Sequence, residues 1–140
     1  MNSNLASYLS KNPKYRLAFD LSSSLEVESV DVGTYLADAL QTKAQKASLN
    51  MYASDAIRKM IRQHTHEHPE YGRYVAFCNI GILFEPALSF NLETIVEQTS
   101  KDELLIIQAN GCIANERFYF VSKQNNYSFS LKNLTYAIVE

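Results

Sequence analysis

Two apolar segments in the second half of the chain constrain the fold more than any other feature. The first, Tyr74–Phe84, begins with a continuous apolar run, which is typical of a central strand covered on both faces. The second, Leu104–Ile107, carries the same signal. Segments with helical periodicity surround both strands. Because buried strands joined by helices form partly parallel sheets, we expect an α/β fold with helices on the faces of the sheet.

The rest of the chain supplies further elements of this fold. Apolar residues at period two indicate strands, and apolar residues at i, i+3 and i+4 indicate helices. The predicted elements are a helical turn over Asn4–Ser10, a strand over Tyr15–Leu21, a helix beginning near a cap at Ser29 or Asp31, a helix from about Ser54 to His66, and a short helix capped by Asn91. The polar segment Thr42–Asn50 would either continue the first of the two longer helices or break it.

The last third of the chain changes to strand periodicity. Phe118 and Phe120 alternate with other residues, and Tyr127, Phe129 and Leu131 share one face. The dipeptides Asn110-Gly111 and Asn125-Asn126 are predicted turns, and Leu134–Val139 is a candidate further strand. We expect a C-terminal antiparallel hairpin that extends one edge of the sheet.

Length, charge and cysteine content narrow the class of protein. The 140 residues suit one domain, 1–140. Thirteen basic against fifteen acidic residues argue against broad, non-specific nucleic-acid binding. The N-terminus has no apolar signal region and no apolar run reaches the ~18–20 residues that span a bilayer. Cys78 and Cys112 are not spaced as a CxxC pair, so reduced cysteines and a cytoplasmic location are expected.

The motifs of common catalytic sites are missing from the sequence. The four glycines are followed by Thr34, Arg73, Ile82 and Cys112, so no glycine precedes the lysine that a phosphate-binding loop requires. The segment Val75–Phe84 holds no carboxylate to bind Mg²⁺, and no GxSxG occurs. We therefore expect no catalytic residues, no cofactor and no enzymatic activity.

Three histidines form the one cluster with metal-ligating character. His64, His66 and His68 alternate near Glu67 and would face one side if the segment were extended. If the preceding helix continued, His64 and His68 would share a face as a polar helix end. The sequence leaves both alternatives open.

Basic residues cluster on the predicted second helix. Arg58, Lys59 and Arg62 point away from its apolar stripe, and Lys43 and Lys46 precede it. With Arg73 they are candidate contacts for a nucleic acid or a protein partner. A solvated helix face is the simpler alternative.

One stretch resembles a known family. It consists of Asn79–Leu88, Asn91-Leu92-Glu93, Thr99-Ser100-Lys101 and Leu105–Gly111. It is similar to the region around and after the second acidic motif in the small P-loop protein of type 3 BREX phage-defence systems. The resemblance covers about Val75–Phe120, and the strand Leu17–Leu21 is similar to the family's second strand. The resemblance implies a P-loop-like α/β scaffold in a bacterial defence system.

The chain departs from the family pattern where the family binds nucleotide. Cys78 stands at the family's Asp position and Gly81 at its Glu position, while Ser100-Lys101 replaces a Ser-Arg pair and Ala109 a Trp. The phosphate-binding loop has no expected counterpart, because the chain begins close to the family's second strand. Neither sulfur nor hydrogen holds Mg²⁺ as a carboxylate does. The resemblance thus implies a degenerate relative without ATP hydrolysis.

These observations favour a non-catalytic interaction subunit or adaptor whose partner is a larger defence-system protein. A nucleic-acid-binding module that uses the basic helix face is the alternative. A third reading is an ATPase half-site completed by another chain, for which Glu85 would have to reach the metal. The sequence does not distinguish a monomer from a homo-oligomer, and no membrane contact is expected.

Overall fold

A mostly parallel sheet forms the centre of the fold in the computed structural model, which describes residues 2–43, 47–121 and 127–139. The helices are α1 (Ser3–Ser10), α2 (Val32–Leu40), α3 (Leu49–Gln63) and α4 (Leu92–Asp102). The strands are β1 (Leu17–Asp20), β2 (Ser29–Asp31), β3 (His66–His68), β4 (Gly72–Cys78), β5 (Leu104–Gln108), β6 (Gly111–Ala114), β7 (Arg117–Phe120), β8 (Ser128–Ser130) and β9 (Ala137–Val139). Two 3-10 turns, Gly81–Phe84 and Pro86–Leu88, follow β4.

The main sheet has the strand order β2-β4-β5-β1-β9, with every neighbouring pair parallel. The short strand β3 pairs antiparallel with the first half of β4, and β2 pairs with its second half. Because β5 takes the opposite edge of β4, β2 and β3 share one edge. Every residue of β1 and β5 is buried, as expected for central strands with both faces covered. The predicted α/β architecture with a partly parallel sheet is confirmed.

One face of the main sheet carries the larger core. Phe19, Phe77 and Ile107 point to this face, where they meet apolar stripes of the helices. These stripes include buried residues such as Leu36 of α2 and Val96 of α4. The expected capping is also present, because the side chain of Asp31 accepts from the Thr34 amide at 2.9 Å. Asn91 accepts from the Thr94 amide at 3.1 Å in the same way.

The opposite face, called here the second face, is covered more thinly. Ala76 and Ile106 point to it from the sheet. Among the described residues, its cover consists of α1, through the buried Leu5, and of the segment 21–28, through Leu25 and Val27. The β1–β2 connection contains no helix within these residues, so part of this face near β3 is left open.

The prediction that the C-terminal hairpin extends the main sheet is wrong. β6, β7 and β8 form a separate antiparallel sheet. Its apolar face packs on the face of the main sheet that carries the larger core. There the Phe118 ring stacks on Phe19 with centroids 5.1 Å apart. Phe129 joins the same cluster, at 5.4 Å from Phe118. The alternating phenylalanines give this small sheet one apolar face, and burying that face against the core stabilises it more than pairing at an edge would.

The turns of this small sheet also differ from the prediction. β6 and β7 are joined by Asn115 and Glu116, which both have positive φ, as the central residues of a type I′ hairpin turn must. Asn110 lies in a bend before β6. The other predicted turn, Asn125-Asn126, falls outside the described residues. The candidate strand at 134–139 is present as β9, which lies parallel to β1 in the main sheet.

Two predicted elements have different boundaries in the structure. The strand expected over Tyr74–Phe84 ends at Cys78, because Asn79 has φ 51° and the apolar residues after it form the first 3-10 turn. The helix expected from Ser54 begins at Leu49 and ends at Gln63. The alternative left open for Thr42–Asn50 is decided in its described residues: α2 ends at Leu40 and α3 begins at Leu49, so the segment does not continue α2. Within the described ranges, no helix is long and apolar enough to cross a membrane.

The stack of Phe118 on Phe19 predicts that the small sheet is part of the core. We expect Phe118→Ala to lower the free energy of unfolding by about 3–5 kcal/mol, because it removes a fully buried ring. Tyr119→Ala, its half-buried neighbour on the other face, should cost about 1 kcal/mol. Urea unfolding of both variants measures the difference. Equal costs would mean that the small sheet does not share the core.

Candidate functional site

The carboxyl end of the main sheet contains the position where open α/β sheets bind ligands. β1 and β5 are neighbours, but the chain leaves β1 towards β2 at one edge and leaves β5 towards β9 on the other side of β1. Connections that depart in opposite directions define a topological switch point, and they leave a crevice outside the strand ends. The last residues of these two strands, Asp20 and Gln108, therefore lie at the candidate site.

The Asp20 carboxylate fills this crevice from within. Its side chain is fully buried and accepts hydrogen bonds from the amides of Ser24, at 2.9 Å, and Leu25, at 2.8 Å. The Ser24 hydroxyl adds a third bond at 3.1 Å. Asp20 thus holds the segment that follows it as a tight loop around its own charge, in the way that backbone amides hold a bound anion.

Gln108 completes this arrangement from the neighbouring strand. Its Nε2 donates to Asp20 Oδ2 at 2.9 Å and to the Leu25 carbonyl at 3.1 Å. One amide group therefore joins the end of β5, the end of β1 and the loop after β1. We call Asp20, Gln108, Ser24 and Leu25 the switch-point cluster.

The hydrogen bonds of the switch-point cluster decide the charge of Asp20. Burial alone would raise its pKa, because water no longer solvates the carboxylate. The bonds from Gln108 and from the Leu25 and Ser24 amides outweigh burial and hold the pKa below its ordinary value of 3.8. Asp20 is consequently an anion at neutral pH.

A second group of polar residues lies where β2 and β4 end. Asp31 Oδ1 accepts from the Asn79 side chain at 2.8 Å as well as from the Thr34 amide. The amide bonds from Thr34 and Asn79 lower the pKa of Asp31, which is exposed. Asn79 also packs closely on Gly33, where an added Cβ would stand 2.5 Å from its side-chain nitrogen. Asp31 and Asn79 are thus engaged in ending β4 and starting α2.

The two positions expected to be degenerate acidic-motif positions lie near this group. Cys78 is a half-buried free thiol whose Sγ lies 3.5 Å from the Val30 carbonyl and 3.6 Å from the Ser29 hydroxyl. Gly81 opens the first 3-10 turn, and a Cβ there would touch the Phe120 ring at 3.4 Å. Glu85 is exposed between the two 3-10 turns. Among the described residues, no three His, Cys, Asp or Glu side chains are grouped so that they could hold a metal ion.

The structure separates His64 from the other two histidines. His64 ends α3 and meets the Tyr35 ring edge-on. His66 and His68 lie on β3, so the segment is extended after the helix ends. His66 Nδ1 lies 3.3 Å from a Glu28 carboxylate oxygen, and His68 Nδ1 accepts the Tyr71 amide at 3.2 Å. The Nδ1 atom of His68 is therefore already used as a hydrogen-bond acceptor for a backbone amide of its own turn.

The candidate basic contacts lie on two elements. Arg58, Lys59 and Arg62 are exposed on α3, and Arg58 forms an ion pair with Asp55. Arg73 lies on β4 with its Nε 3.9 Å from Glu103, whose carboxylate is buried. Lys43 lies over the Tyr52 ring, and Lys46 falls outside the described residues. Two of the four candidate contacts are therefore neutralised in part by neighbouring carboxylates.

Asp20 and Gln108 are site residues that the sequence motifs did not predict. A usable signal was present, since an acidic residue that ends an apolar strand and precedes three serines can bind the amides of its own loop. The link to Gln108 has no local signal, because it joins residues far apart in the chain.

No protein-family model, curated protein or solved structure matches this chain.

The switch-point cluster predicts a strong effect for an isosteric change. Asp20→Asn replaces a carboxylate oxygen by an amide NH2 group, which would face the N–H and O–H donors of the cluster. We therefore expect the free energy of unfolding to fall by about 1–3 kcal/mol. Asp38→Asn on the exposed side of α2 is the matched control and should change it by less than about 0.5 kcal/mol. Chemical denaturation at pH 7 measures both. An unchanged free energy of unfolding in Asp20→Asn would show that the cluster contributes nothing to stability.

The lowered pKa of Asp20 also predicts a pH dependence. A carboxylate with a lower pKa in the folded state adds stability that is complete above its unfolded value of 3.8 and is lost as the pH falls through the folded value. As the pH falls from about 4 to about 3, the wild type should lose stability more steeply than Asp20→Asn. Urea unfolding midpoints of both proteins across this pH range give the comparison. Equal losses of stability in the two proteins would contradict a lowered pKa for Asp20.

Proposed function

We propose that this protein is a cytoplasmic, non-catalytic interaction subunit of a bacterial phage-defence system. The observation that carries the proposal is that Asp20 occupies the switch-point crevice with its own carboxylate. A phosphate or carboxylate ligand would have to displace this buried anion and break its hydrogen bonds. The negative charge of such a ligand and that of the Asp20 carboxylate would repel each other strongly if both were buried in the crevice.

The surroundings of the crevice support the absence of nucleotide chemistry. Phosphoryl transfer needs a metal held by carboxylates and a cation on the phosphates. The nearby strand ends offer the Cys78 thiol, the Asn79 amide and Asp31, whose oxygen is bound to the start of α2. A scaffold with this set of side chains is better suited to presenting surfaces than to transferring a phosphoryl group.

The partner is proposed from the resemblance described above. The similarity over about Val75–Phe120 to the small P-loop protein of type 3 BREX systems suggests that the partner is a larger protein of such a system. The fold agrees with this scaffold in its class, a mostly parallel sheet with flanking helices. In this proposal the chain keeps the scaffold and uses it for assembly.

Two measurements test the proposal together. The tagged protein, expressed from its own genomic context, should co-purify with a larger protein at a fixed ratio by quantitative mass spectrometry. The purified protein and the complex should both lack ATP turnover. A turnover that disappears in Glu85→Gln while the variant stays folded would overturn the proposal in favour of a completed ATPase half-site. A chain that remains solitary in its own host would overturn it as well.

The exposed cations of α3 favour a second candidate function, nucleic-acid binding. This alternative requires salt-dependent affinity for DNA or RNA that falls when Arg58, Lys59 and Arg62 are replaced together by Ala. The matched control removes three exposed lysines elsewhere, Lys14, Lys101 and Lys132. Under the proposed function we expect no difference between the two triple variants in fluorescence anisotropy. A selective loss in the α3 variant would establish the alternative.

A further inference from the structure

We propose that an acidic groove on the second face docks an extended segment of a partner protein that is rich in lysine or arginine. The groove consists of two cavities of about 570 and 490 Å³ that share Glu26 and Val27 in their walls. Both are open to solvent and lie between the segment 24–28 and the β3–β4 hairpin. The inference rests on the proposed function and names the surface that such a subunit would use.

The groove exists because the β1–β2 connection crosses the second face as an extended segment. That segment is fixed at its end by the Glu28 amide, which donates to the Tyr74 hydroxyl at 3.1 Å. At the other cavity the Asn2 amide donates to the Tyr71 hydroxyl at 2.9 Å. These bonds hold both tyrosine rings in place before any partner arrives, and a preformed surface loses less entropy on binding.

Aromatic rings form the floor of the groove. His68 stacks on Tyr71 with ring centroids 4.2 Å apart, and it meets Tyr74 edge-on at 6.2 Å. His66 lies 5.8 Å from the same Tyr74 ring. The faces of tyrosine rings attract the charged heads of lysine and arginine, and the aliphatic stems of these residues pack on apolar surface.

The charge of the groove selects the sign of the partner. Its lining includes four glutamates, Glu26, Glu28, Glu67 and Glu70, and no lysine or arginine. Two arginines lie close to the lining: Arg73 approaches Glu103, and Arg16, which precedes β1, donates to the carbonyl of Tyr71 in the groove wall. The formal charge of the whole chain is only −2, so this local excess is a property of the groove. A basic segment is attracted to such a field, whereas nucleic acids and anionic membranes are repelled.

The shape of the groove favours an extended segment over a compact small molecule. Two cavities in succession along one wall accept successive side chains of a peptide that passes over Val27. Each cavity is lined by glutamates and by aromatic rings. A lysine or arginine placed in each would meet both kinds of contact at once.

The experiment uses a fluorescein-labelled peptide of alternating lysine and serine, with the matching glutamate–serine peptide as the probe of opposite charge. Glu26→Gln/Glu70→Gln removes two rim charges without changing side-chain size. Glu97→Gln/Asp102→Asn removes the same charge from exposed positions of α4 on the other face. We expect the groove variant to weaken lysine-peptide binding by about threefold or more in anisotropy titrations, and the α4 variant to leave it unchanged.

The other outcomes overturn the inference. Equal weakening in both variants would mean diffuse attraction by net charge, and binding of the glutamate peptide would exclude selection by charge. The absence of lysine-peptide binding by the wild type at low salt would also refute it. If the native complex forms equally well with the groove variant, the groove proposal fails while the interaction function stands. If no complex forms with the wild type, it is the proposed function that fails.

Discussion

The hydrogen bonds that Asp20 accepts at the end of β1 determine how the carboxyl edge of this sheet is used. A buried carboxylate is costly unless several donors compensate it. Here two backbone amides, a hydroxyl and the Gln108 side chain provide that compensation. The loop after β1 must therefore close on the strand, and the crevice that this topology would open to a ligand is closed by the protein's own side chain.

The closure of this loop is connected to the unequal cover of the two faces. A loop that turns back on Asp20 continues as an extended segment to β2, and no helix lies between them. The face covered by α2, α3 and α4 carries the larger core, in which the small antiparallel sheet adds Phe118 and Phe129 to Phe19. Stability is thus concentrated on one face. The second face carries the thinner cover, and it is the face on which we propose that a partner binds.

Local patterns predicted the parts of this fold that depend on neighbouring residues. The buried strand Leu104–Gln108 and the caps at Asp31 and Asn91 follow from apolar runs and from capping chemistry. The end of β4 was missed because the residues after Asn79 are mostly apolar and form a 3-10 turn in which Leu83 is buried, so their pattern resembles a strand. The start of α3 at Leu49 was missed because Ser48 forms no side-chain cap. The pairing of Asp20 with Gln108 and the position of the small sheet depend on tertiary contacts that no local window contains.

The position of β1 has a consequence for the order in which the chain folds. Leu17 pairs with Leu105 and Ala18 pairs with Ala137, so the first strand acquires both of its neighbours from segments much later in the chain. Closing such long loops costs entropy before any contact compensates for it, and proteins rich in distant pairings fold slowly. During synthesis β1 must wait with two unpaired edges until β5 and β9 have emerged, which leaves both edges open to pairing with other strands.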